Sequence, residues 1–209
     1  MASQIPFFIL ALVFAYLIGS FPAAYLTARI FKKIDIRDVG SRNVGAMNVF
    51  YKVGFWPGVM VLAIDIGKGA AAIAFIRWLG APILVQLLAG FIVVMGHAFP
   101  LFLGFRGGRG GATVIGILAY LMPWGIPFYA AIFGLGLLLT HYPTLSYSVA
   151  FLCYPFVAWL RYDSPELIIF SLAILLLPGI KYIPRIIEMR KKGGSWKHVV
   201  MRKDIKDRF

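Results

Sequence analysis

The chain has one cysteine in 209 residues, Cys153, and it lies in an apolar run. Neither a disulfide framework nor a thiolate metal cluster can be built from it. The three histidines, His97, His141 and His198, are far apart and match no metal-ligand spacing, so no metal or other cofactor is expected. Charge is also scarce. Only 14% of the residues are charged, against roughly a quarter in soluble domains. Acid is the scarcer sign, with 8 Asp and Glu against 21 Lys and Arg. The N-terminus lacks the basic start of a cleaved signal peptide. Its first apolar run reaches Tyr25 without a small-residue cleavage site, and it is expected to be retained.

Apolar residues make up 61% of the chain, and the mean hydropathy is +0.85. Runs this long need lipid as their solvent. The expected fold is an all-α integral membrane protein. Spans are predicted over 5–30, 55–76, 83–95, 145–160 and 167–180. Two short apolar pieces, 114–122 and 128–140, flank the helix-breaking PWGIP and read as a hairpin. That gives about seven transmembrane helices, or five plus a short hairpin that only dips into the bilayer. A single transmembrane domain over 1–180 is expected, with a basic tail over 181–209.

The net charge of +13 does not indicate nucleic acid, because the cations sit between the apolar runs. Placing the 31–52 loop, the Gly/Arg loop near 106 and the tail on one side gathers 18 of the 21 Lys and Arg there, counting Arg29 with the first loop. By the positive-inside rule that side is cytoplasmic. The N-terminus is then outside, the tail is inside, and the number of crossings is odd.

Two loops carry candidate chemistry. The first, IDIRDVGSRNVGAMN over 34–48, combines Gly40 and Gly45 with the short donors Ser41, Asn43 and Asn48 and the cations Arg37 and Arg42. Such a loop can form an anion nest, or it can be a solvated connector carrying topology charge. The second, GFRGGRGGAT over 104–113, has five glycines in ten residues. Ordering them is entropically costly, and close backbone approach to a ligand is the usual return. Arg106 and Arg109 offer planar forks for phosphate oxygens, and the loop opens into an apolar helix whose N-terminus favours an anion. The alternative is a flexible interhelical turn. No GK[ST] follows at the spacing of a Walker A loop.

Asp65 and Lys68 share one helical face inside the second span. They are either a packing ion pair or part of a functional centre. His97, beside the Gly/Arg loop, either acts as a base or phosphate donor or ends its helix on a carbonyl. Thr144, Ser146 and Ser148 either face the same cavity or bond back to their own helix.

GHAFPLFLGFRGGRGGAT resembles the signature GHxFPxFxGFKGGKGxAT of the bacterial acyl-phosphate:glycerol-3-phosphate acyltransferases. DIRDVGSRNVGAMN resembles that family's DxRxxGSGNxGATN loop, IDIGKGA its DxxKG element and HYPTLSYS its RYxSLxS segment. The elements keep the family's order and cover nearly the whole chain. The resemblance implies a compact membrane-helix bundle in the cell inner membrane, with its site at the cytoplasmic face. It implies transfer of a fatty acyl group from acyl phosphate to the 1-hydroxyl of glycerol 3-phosphate, giving lysophosphatidic acid and phosphate for phospholipid synthesis. Partners are then these two substrates and membrane lipids, with no nucleic acid and no obligate protein. Catalytic roles fall to His97 and Ser41. Substrate contacts fall to Arg37, Ser41, Arg42, Asn43, Asn48, Lys68, Arg106, Arg109, Thr113 and Ser146, and Asp65 pairs with Lys68. Arg42 stands where the family keeps glycine, arginines replace both loop lysines, and the tail lacks the family's His and Asn. Two other readings stay open: a catalytically silent relative that binds lipid phosphate, and a transporter of phosphate-containing anions.

Overall fold

The computed structural model describes residues 5–196 and 200, and these are helical with no strand among them. The order is α1 (Ile5–Ser20), α2 (Ala23–Lys32), α3 (Ala46–Lys52), α4 (Phe55–Trp78), α5 (Ile83–Ala98), α6 (Gly111–Leu121), α7 (Gly125–Thr140), α8 (Pro143–Ala150), α9 (Cys153–Val157), α10 (Pro165–Ala173) and α11 (Leu176–Gly193). A single 3-10 turn, Leu101–Leu103, follows α5, and a π-helical segment, Ala158–Tyr162, extends α9.

Among the described residues, five stretches are long and apolar enough to cross a membrane: Ile5–Lys32, Phe55–Trp78, Ile83–Leu103, Pro143–Tyr162 and Pro165–Gly193. At 1.5 Å per residue, α4 is about 36 Å long, more than the roughly 30 Å hydrocarbon core. The shorter α6 and α7 flank Pro123, where the hairpin was expected. Burial is inverted relative to a soluble protein. Ile30, Leu84, Leu138 and Leu160 are exposed, whereas Asp65, Lys68 and Gln86 are buried, as expected of a chain solvated by lipid.

Four boundaries differ from expectation. The first span breaks at Phe21 and Pro22 into α1 and α2, because proline has no N–H to continue the ladder. The 31–52 loop ends in about two helical turns, α3. The stretch Pro143–Tyr162, expected as one span over 145–160, is assembled from α8, α9 and the π segment. The last helix, α11, does not stop at the 180/181 boundary but continues to Gly193. Residues 197–199 and 201–209 of the expected tail lie outside the described residues, His198 among them.

The chain forms two compact units, Met1–Leu121 and Met122–Phe209. In the first, α1 packs on α5 and α4 packs on α6. Both pairs close through small residues. A Cβ on Gly69 would collide with the Thr113 carbonyl oxygen, and one on Gly116 with that of Ile66. Gly19 and Gly96 do the same for α1 and α5, against Val93 and Tyr16. In the second unit, α7 packs on α8 and α9, and α9 on α10. Tyr142 and Met189 bury a smaller core between α8 and α11, and the Tyr142 hydroxyl bonds that of Tyr182.

Gly116→Ala is expected to lower stability by about 1–3 kcal/mol, because it pushes one helix backbone off another. Gly134→Ala, where a Cβ meets nothing within 4 Å, should be neutral or stabilising by up to about 1 kcal/mol. Reversible unfolding in mixed detergent micelles measures both.

Candidate active site

Within the first unit the two loops meet. Ile36 and Val44 of the first loop and Leu103, in the 3-10 turn that leads into the second, are buried in one apolar cluster with Ala24, Val49 and Val61. Arg37 Nη1 donates to the Leu103 carbonyl at 3.4 Å. The backbone at Gly108 lies so close to the Val44 carbonyl and the His97 imidazole that a Cβ would collide with both. Gly108 N–H also donates to the His97 carbonyl at 3.1 Å.

The first loop is organised by Asn48, which is fully buried. Its Nδ2 donates to the carbonyls of Ile36 (3.1 Å), Val39 (3.0 Å) and Asn43 (3.1 Å). Its Oδ1 accepts from the Ser41 N–H at 3.1 Å. The Asn48 amide is thus engaged inside the loop. Asp35 adds a second brace. It accepts from the Arg37 side chain at 2.7–3.2 Å and from the Arg37 N–H at 2.9 Å. Arg37 also lies 5.2 Å from the Tyr25 ring centroid. The Arg37 guanidinium lowers the Asp35 carboxyl from its ordinary value to about 2, and Asp35 in turn raises Arg37.

Beneath the loops lies a buried charge cluster. Asp65 Oδ1 is 2.8 Å from Lys68 Nζ and 3.4 Å from His97 Nδ1. Lys68 Nζ also donates to the Phe21 carbonyl, at 3.4 Å, where α1 gives way to α2. These three side chains line a small cavity with Pro22, Val44 and Gly107. Lys68 is engaged by Asp65 and the backbone, and His97 holds Nδ1 on Asp65 with its Nε2 edge against Gly108.

The expected contact residues fall into two groups. The side chains of Arg37, Asn48 and Lys68 bind protein groups of the same unit. Ser41, Arg42, Asn43 and Arg106 make no side-chain hydrogen bond or ion pair among the described residues. Arg42 and Arg106 are exposed, while Arg109 is half-buried in the loop. The Thr113 hydroxyl, in the first turn of α6, is buried without a hydrogen-bond partner among the described residues. Ser146 belongs to the second unit. Its hydroxyl bonds the Tyr142 carbonyl at 2.9 Å and sits 3.3 Å from Thr140 Oγ1, and Ser148 likewise bonds back to Thr144. Sequence reasoning did not single out Asp35 or Tyr25. The Asp-x-Arg spacing was the available signal for the former.

The family model described as glycerol-3-phosphate acyltransferase matches residues 9–192. Among curated relatives, glycerol-3-phosphate acyltransferase 2 of Dehalococcoides mccartyi is 54% identical over 203 residues, covering 96% of this chain and 97% of its own. Glycerol-3-phosphate acyltransferase of Endomicrobium trichonymphae is 38% identical over 169 residues, covering 81% and 85%. Among solved structures, PlsY (YgiH), an integral membrane glycerol 3-phosphate acyltransferase in its glycerol 3-phosphate form, superposes with a TM-score of 0.80 at 27% identity. That match covers 88% of this chain and 92% of the other.

Asp35 has a depressed folded-state pKa, so its pair with Arg37 contributes fully above pH ~4 and is lost as pH falls toward 2. Asp35→Asn is therefore expected to speed amide exchange across residues 34–45 at pH 7. The difference from the unsubstituted protein should vanish near pH 2.

Proposed function

The chain belongs to the glycerol-3-phosphate acyltransferase family, and on that premise we propose that it moves a fatty acyl group from acyl phosphate to the 1-hydroxyl of glycerol 3-phosphate. The observation that carries this reading is the junction of the two loops. It gathers uncommitted Ser41, Arg42, Asn43 and Arg106 on segments whose backbones are already braced.

Acyl phosphate is a mixed anhydride with a good leaving group, so no covalent nucleophile is needed. Catalysis reduces to holding two phosphate-bearing molecules together and stabilising developing charge. The glycerol 3-phosphate hydroxyl oxygen attacks the acyl carbonyl carbon, the bond from that carbon to the phosphate oxygen breaks, and the departing phosphate takes the hydroxyl proton. Arg106 and Arg42 bind phosphate oxygens, with Arg109 beside them, Ser41 and Asn43 donate neutral hydrogen bonds, and the Thr113 hydroxyl completes the first turn of α6. Arg37, Asn48, Lys68 and Asp65 position these groups. His97 is held between Asp65 and Gly108, which favours the phosphate as proton acceptor. We place the site at the cytoplasmic face of the inner membrane, with seven crossings, the N-terminus outside and the C-terminus inside.

Arg42 sits at φ 56°, in the left-handed region. There an L side chain costs about 1–2 kcal/mol, and the family sequence has glycine. The strain is tolerated for a cation at the rim of the site. Arg42→Gly should raise stability by about 0.5–1 kcal/mol while raising KM for glycerol 3-phosphate. A protein that gains stability with KM unchanged removes Arg42 from substrate binding.

The decisive assay uses purified protein in lipid with labelled glycerol 3-phosphate and palmitoyl phosphate. Release of phosphate together with lysolipid is expected. Uptake into vesicles without product indicates a transporter, and binding alone a silent relative. In the same assay His97→Ala should lower kcat/KM yet keep the acid limb of the pH profile. Loss of that limb would make His97 the base.

A further inference from the structure

The second unit contains a feature that the acyl-transfer chemistry does not use. An open groove of about 580 Å³ runs between α7 and the α8–π segment, walled by Phe128 and Ile132 on one side and Cys153, Val157 and Leu160 on the other. Trp124 and Arg161 close one end, with the guanidinium 5.3 Å from the indole ring centroid. Arg161 is the one cation among the groove-lining residues.

Arg161 stands four residues after Val157, so the two share one helix face. The π segment Ala158–Tyr162 has more residues per turn and turns Arg161 further toward the Cys153 side of that face. Arg161 and Leu160 line the groove together. The charge is not neutralised locally. Arg161 makes no ion pair among the described residues, although acids stand two and five positions on. Of those, Glu166 accepts from Ser164 Oγ at 2.8 Å at the start of α10. Trp124 and Trp159 are exposed at this end, the amphipathic rings typical of headgroup level.

We infer that this groove is a binding site for an anionic glycerophospholipid, with one acyl chain along the apolar walls and the headgroup phosphate on the Arg161 guanidinium. A membrane-spanning chain has acyl chains, not water, to fill such a wall. The planar fork of arginine suits phosphate oxygens, and a net negative headgroup answers the unneutralised charge. In the proposed topology Arg161 belongs to the leaflet opposite the glycine–arginine loops, so this lipid is distinct from the substrates.

Cys153 supplies a local reporter, because it is the chain's single cysteine and lines the groove. The experiment follows its alkylation by N-ethylmaleimide in detergent micelles doped with phosphatidylglycerol or with phosphatidylcholine. Phosphatidylglycerol is expected to slow the reaction about fivefold more than phosphatidylcholine, the worth of one basic side chain on anionic lipid. In Arg161→Gln the two lipids should protect equally, while acyl transfer and the unfolding midpoint in lipid-free detergent stay as in the unsubstituted protein. Equal protection by both lipids before substitution overturns the inference, as does a phosphatidylglycerol advantage that survives Arg161→Gln. If Cys153 proves unreactive in lipid-free detergent, Ile132→Cys in a Cys153→Ala background reports from the facing wall with the same two outcomes.

Discussion

An ionised carboxylate has no water to turn to inside a bilayer, and Asp65 meets that constraint with two partners on one oxygen. Lys68 and His97 both approach Oδ1, so three helix-borne groups share a single centre. Each partner has a second attachment. Lys68 reaches the Phe21 carbonyl exposed by the proline break, and His97 lies under the glycine loop through Gly108. Removing one member of a buried pair typically costs about 3–5 kcal/mol, because the other is left uncompensated. The α1–α2 break, the end of α5 and the second loop are therefore energetically coupled through Asp65. Under the proposed reading, Asp65 and Lys68 are a pair that positions a loop.

Most of the helices were legible because hydropathy reports what lipid tolerates. The boundaries were less so, since hydropathy says little about backbone continuity. Pro22 stands in plain view, yet the apolar run continues past it to Ile30, and membrane helices accept proline when neighbours satisfy the freed groups. Here the Phe21 N–H takes up the Ile18 carbonyl that Pro22 cannot reach, and the Ala23 N–H and Lys68 share that of Phe21. The short α3 is too brief to be stable alone. It depends on burial of Val49 and on the close fit of Gly58 beneath Phe50, contacts between segments that no local pattern reveals. At the other end, α11 outlasts its apolar stretch because Glu188 pairs with Arg185 at 2.7 Å and Lys192 at 2.8 Å, spacings that support a helix without hydrophobicity.

For the candidate site, residue type was legible and allegiance was not. Arg37 and Arg42 are five apart in one loop, and both read as phosphate ligands. Arg37 is bound by Asp35 and ties the loop to Leu103, whereas Arg42 projects from a left-handed residue with no partner among the described residues. Asn48 and Asn43 divide the same way, one buried as the hub of the loop and the other uncommitted. Ser146 took the alternative already recognised for membrane hydroxyls, a bond to a carbonyl four residues back. Which member of each pair is scaffold depends on register and burial, and composition carries neither.

That division explains how so glycine-rich a loop can be useful. Glycine raises the entropy of the unbound loop, and a ligand that had to order it would lose affinity in proportion. Here the ordering is done by the protein. Leu103, Val44 and Ile36 share one buried cluster, Gly108 bonds the His97 carbonyl, and Asn48 holds the facing loop. The missing Cβ atoms serve to bring two backbones and an imidazole into contact, so the loop is close-packed on its inner side. Under the proposed reading, a phosphate arriving at the outer side meets cations whose backbone supports are already in place. Its binding energy is then spent on bringing the two reacting groups together, the one demand that an activated acyl donor leaves to the enzyme.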